Sequence, residues 1–158
     1  MASISENKRL KRALGVAFLL GIILVIVFAR FYLSRDKQES SIARGMVLLS
    51  KGIKGDKDAL KEAESQFREA ARDTWFDPYP FFVLSVTGKL VEREVPDQID
   101  VDTMTPDAKP EIVNQGGLFL ISKGRLDEAQ IIFKRIIDAD PENQLARLYL
   151  RLLTDLQP

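Results

Sequence analysis

Gly117-Leu118-Phe119-Leu120-Ile121-Ser122-Lys123-Gly124 decides the fold, because the chain states it twice. The earlier version is Gly45-Met46-Val47-Leu48-Leu49-Ser50-Lys51-Gly52. A second shared phrase follows each octet: Leu60-Lys61-Glu62-Ala63 with Phe67, and Leu126-Asp127-Glu128-Ala129 with Phe133. The octets lie 72 positions apart and the second phrases 66, so the first copy carries six extra residues between its two parts. Internal repetition of this kind marks an architecture made of repeated helical hairpins.

Working outward, residues 42–50 place Ile42, Met46 and Leu49 on one helical face, which Ala43, Val47 and Leu48 broaden. Gly52-Ile53-Lys54-Gly55 ends that helix. Asp56 or Asp58 can cap the next, whose inner face is Ala59, Ala63, Phe67 and Ala70 and which should end near Trp75. Asp77-Pro78-Tyr79-Pro80 interrupts helix and lets a third begin, predicted over residues 81–94. Residues 95–110 hold Pro96, Pro106, Pro110 and four aspartates, and read as a long acidic loop. A short strand over residues 99–103 would have no partner. The fourth and fifth helices are predicted at 111–122 and 126–138, and the sixth from Asp140-Pro141, with proline at its first position.

The N-terminal part is of another kind. Residues 13–29 carry no charge, and Phe31, Tyr32 and Leu33 prolong the apolar run. Such a segment spans about 26 Å as a helix, and more with its extension, against a hydrocarbon core of about 30 Å. Residues 13–33 therefore read as a transmembrane helix, with Arg30 snorkelling to the headgroups. The competing reading is a cleaved signal peptide with Lys8-Arg9-Leu10-Lys11-Arg12 as its basic region, but the apolar run is long for that. The density of those cations places the N-terminus in the cytoplasm and the C-terminal domain outside the plasma membrane, periplasmic in a two-membrane bacterium. Ala13, Ala17 and Gly21 recur at four-residue spacing and are candidates for packing against another membrane helix.

The chain of 158 residues has 23 basic and 23 acidic side chains, no cysteine and no histidine. The even balance argues against a nucleic-acid partner. Missing histidine and cysteine exclude thiolate or imidazole metal sites and Ser-His or Cys-His catalysis. No phosphate loop, dinucleotide fingerprint or hydrolase elbow is present. Asp97, Asp100 and Asp102 lack the ligand ladder of a calcium hand. No catalytic residue, cofactor or metal site is expected.

The hairpins resemble the tetratricopeptide repeat family, with its small residue in the first helix, glycine at the turn, alanine and aromatic in the second helix, and closing proline. Residues 110–143 match as Gly117, Leu120, Gly124, Ala129, Phe133 and Pro141; Val113 and Gly116 depart from the usual tryptophan and leucine. Residues 41–75 match as Gly45, Leu48, Gly52, Ala63, Phe67 and Ala70, with the insertion and with Trp75 in place of proline. The resemblance implies an all-α fold, a short α-solenoid of hairpins following the membrane helix, and work as a protein-binding module. The repeat residues are expected to pack: Gly117 and Ala129 where helices cross, Phe133 in the groove between them, Gly124 at a positive φ.

The organisation expected is a basic tail 1–12, the membrane helix 13–33, a degenerate repeat with an extra helix over 38–94, the acidic loop 95–110, and a second repeat with a capping helix over 111–158. The third helix reads as the remnant of a middle repeat whose second helix the loop replaced. Trp75, Phe76 and Tyr79 form either a plug between the copies or a recognition surface. The last helix carries leucines on more than one face, and Leu148 and Leu152 are candidate partner contacts. The expected partners are other proteins of a membrane or envelope complex, and the bilayer itself. The expected function is a membrane-anchored, non-catalytic interaction module, a scaffold or assembly factor; the alternative is a permanent subunit of an integral membrane complex.

Overall fold

The structure is a computed structural model that describes residues 3–72, 74 and 77–157, and the side chains among them from Ala17 onward. Among the described residues it is all-helical: α1 (Ser3–Ile53), α2 (Lys57–Arg72), α3 (Tyr79–Glu92), a 3₁₀ turn (Val101–Thr103), α4 (Pro110–Ser122), α5 (Leu126–Ala139) and α6 (Gln144–Leu156). The segment 99–103, weighed as a strand, forms the 3₁₀ turn, capped by the Asp100 carboxylate accepting from the Asp102 N–H at 3.1 Å. The chain divides into two units, residues 1–37 and 38–158.

In the first unit α1 is long and apolar enough to cross a membrane. Every side chain from Ala17 to Leu33 is exposed, the state that a bilayer would relieve. The tail residues Met1 and Ala2 lie outside the described residues.

In the second unit α2 is amphipathic, burying Ala59, Ala63, Phe67, Ala70 and Ala71. The Asp56 carboxylate accepts from the Ala59 N–H at 3.0 Å and so caps its first turn. The sixth helix begins later than the proline signal predicts. Pro141 lies in a turn, and Asn143 caps α6 by accepting from the Ala146 N–H at 3.0 Å. A capping side chain satisfies an orphan N–H, which proline at the first position cannot do.

The hairpin turns also correct the sequence reading. Gly52 is helical, and its missing Cβ makes room for the Leu60 side chain. The positive φ belongs to Gly55 (+111°), the counterpart of Gly124 (+68°), and each glycine is the middle residue of a three-residue turn. The six extra residues are therefore helical. Three lengthen the end of α1 past the position of Ser122, and three precede Leu60 in α2. Each arm of the first hairpin grows by about 4.5 Å, and the turn keeps its length.

The third helix has a counterpart in the sixth. At the 66-residue offset of the second phrase, α3 coincides with α6. Pro80 pairs with Ala146, Val83 with Tyr149, Val86 with Leu152 and Thr87 with Leu153, all buried. The unit is thus two three-helix halves, each a hairpin followed by a third helix that covers it. Where α3 and α6 touch they run in opposite directions: Asp77 and Tyr79 at the start of α3 meet Arg151 and Asp155 late in α6, whereas Phe82 meets Tyr149 earlier. Stacking by one repeated screw would run equivalent helices the same way.

The acidic loop is anchored in the core. Met104 is buried, and its sulfur occupies the space that a side chain on Gly116 would need. Ile99, Val101 and Ala108 also pack on the core.

Candidate partner-binding surface

Most of the repeat residues lie inside the two halves, whereas Gly124 and Pro141, expected to pack, are exposed in turns. Gly45 lies against the Phe67 ring, leaving no space for a Cβ. Gly117 repeats this: a Cβ there would sit 2.6 Å from the Tyr149 ring and 3.0 Å from Phe133. Ala63, Ala129, Phe67 and Phe133 are fully buried. These side chains build the scaffold and offer no surface to a partner.

Two of the candidate partner contacts belong to the core as well. Tyr79 has no exposed surface; its hydroxyl donates to Asp155 at 2.5 Å and the Arg151 guanidinium lies 3.7 Å above its ring. Leu152 is fully buried, because α6 turns that face onto the hairpin it covers. Leu148 is half-buried. Trp75 and Phe76 lie outside the described residues. In the apolar run, Ala17 and Gly21 are exposed, with nothing within 4 Å of the place for a Gly21 Cβ, and the Ala13 side chain lies outside the described residues.

Burial pushes the Tyr79 phenol far above its ordinary range, and the bond to Asp155 adds to the rise. Tyr149 is raised by burial too, while its hydroxyl donates to the Asn114 carbonyl at 3.0 Å and side-chain oxygen at 2.7 Å. Both phenols are structural: they are hydrogen-bonded inside the fold. Among the described residues no cluster of three or more acidic, histidine or cysteine side chains could hold a metal ion.

What remains is a groove of about 580 Å³ between α1 and α6. Ile42, Ala43, Met46 and Val47 form its floor with Leu156, while Glu39, Lys51, Arg151 and Asp155 stand at its rim. Val47 is 60 % exposed, although Met46 and Leu49 in the same turn of α1 are buried. An apolar floor with charged edges is the make-up of a partner-binding surface. Sequence reasoning placed Ala43 and Val47 on a broadened core face; that excess width was the signal, and the neighbour missing beside it could not be known.

Compared with known proteins, the chain matches no family model, and neither a curated protein nor a solved structure shows significant similarity to it.

Proposed function

We propose that this chain is a single-pass, membrane-anchored module that binds another protein and carries out no catalysis, acting as a scaffold or assembly factor for a membrane complex. The open apolar groove between α1 and α6 carries this reading, since Ala43 and Val47 are exposed beside a groove with a charged rim, a combination that suits a protein partner. The apolar run of α1 supports insertion in a bilayer. The resemblance of each hairpin to tetratricopeptide repeats supports protein binding, and the density of Lys8, Arg9, Lys11 and Arg12 supports a cytoplasmic N-terminus with the domain on the far side of the membrane. Absence of histidine and cysteine supports a non-enzymatic role.

A second reading, a permanent subunit of an integral complex, draws on Ala17 and Gly21, whose exposed small side chains leave room for a neighbouring helix. Native electrophoresis of membranes in mild detergent separates the two. A scaffold gives partners that are retained only after cross-linking, and a subunit co-migrates stoichiometrically without it. A chain that migrates alone under both conditions overturns both.

A further inference from the structure

The two halves differ in one place that bears on what the groove binds. In the second half the loop after α3 lies along α4. Met104 fills the space over Gly116, and Val95, Pro96 and Asp97 line a cavity of about 230 Å³ with Ser122 and Lys123 and, from the first half, Gly52, Ile53 and Leu60. Met104 and this cavity thus lie on either side of Phe119 along α4, and Phe119 is only 8 % exposed. In the first half the octet alignment puts Arg44, Val47, Ser50 and Lys51 at the positions of Gly116, Phe119, Ser122 and Lys123. The loop reaches the end of α1 at Gly52 and Ile53, while Arg44, Val47 and Lys51 are exposed and the larger groove opens beside them. The fold therefore displays, on one half, the kind of segment that the equivalent face of the other half lacks.

We infer that the exposed α1 face around Val47 takes an extended acidic segment of a partner protein, of the same make-up as this chain's own residues 95–108. That segment sets Ile99, Val101 and Met104 among Asp97, Asp100 and Asp102. Apolar side chains would cover Val47 and the groove floor, and the carboxylates would face Arg44, Lys51 and Lys54, which follow one another along the exposed side of the helix and its turn. The acidic rim residues Glu39 and Asp155 lie off this stripe, so the complementarity is confined to the line of Arg44, Lys51 and Lys54. The inference rests on the partner-binding reading and names where, and with what chemistry, binding occurs.

The test uses the full chain in uncharged detergent micelles and a fluorescently labelled synthetic peptide with the sequence of residues 95–108, followed by anisotropy. Saturable binding is expected, weakened about tenfold by Val47→Asp and by Lys51→Glu, reduced by salt, and unchanged by Ile131→Asp at an equally exposed position of α5. Absence of binding, equal binding of a scrambled peptide, or indifference to both α1 substitutions overturns it. Loss of peptide binding on transfer of the chain to nanodiscs containing anionic lipid assigns the face to the bilayer surface and overturns it as well. Failure here leaves the anchored-module reading standing, since that is judged by native complexes from membranes; loss of those complexes leaves the titration unaffected.

Discussion

Phe133 and Tyr149 stack with ring centroids 4.7 Å apart and planes only 4° from parallel. Gly117 on α4 meets the edge of this pair, and Phe82 of α3 stands edge-on to Tyr149 at 4.8 Å. One aromatic cluster thus joins the second hairpin to its covering helix and to the third helix of the first half. It lets two short three-helix halves, each small for an independent core, share one interior.

Gly117→Ala should test that junction. The added methyl would overlap two stacked rings that cannot yield without moving α6, so a loss of about 1–3 kcal/mol is expected. Gly21→Ala, in open space on the apolar run, should leave the domain unchanged. Urea unfolding of the full chain in micelles, followed by circular dichroism, measures both.

The link between the halves can be weighed at Tyr79. Tyr79→Phe removes the hydroxyl that donates to Asp155 but keeps the ring beneath Arg151. The exposed side of Asp155 can regain water, so the loss should be about 1 kcal/mol, and a double-mutant cycle with Asp155→Ala should recover most of it as coupling.

Met104→Ala should cost about 2–4 kcal/mol and expose the loop to limited proteolysis, because a fully buried side chain pins it over Gly116. A loop cleaved at the same rate in the variant and the parent would show that Met104 does not hold it.

Alkaline pH gives a separate check. Tyr79 and Tyr149 hold their protons more tightly when folded than when unfolded. Their contribution is complete below the ordinary phenol value of about 10 and is lost as pH rises above it, because the unfolded chain ionises first. The urea midpoint should fall above that pH, and less steeply in Tyr149→Phe.

Much of this was legible in the sequence because it depends on local chemistry. The charge-free run marks the apolar part of α1, Ala63 and Phe67 mark the inner face of α2, and Gly124 marks a left-handed turn. The equivalence of α3 and α6 was hidden because buried positions kept their places and changed their chemistry: Val83 stands for Tyr149, and Thr87 for Leu153. Thr87 can be buried because its hydroxyl donates to the Val83 carbonyl at 2.8 Å. Pro141 misled because Asn143, two residues on, caps the helix better. The groove was invisible for a different reason: an apolar residue on a helix announces a neighbour, and only packing reveals that at Val47 none is supplied by this chain.

The most direct measurement of the central claim, a helical domain tethered to a bilayer by α1, is the fraction of full-length chain that stays with sealed membrane vesicles after an alkaline carbonate wash. The account predicts that it remains in the membrane pellet, with residues 38–158 digested by protease from one side only. Release of the chain into the supernatant, or loss of residues 1–29 from the mature protein, would contradict it.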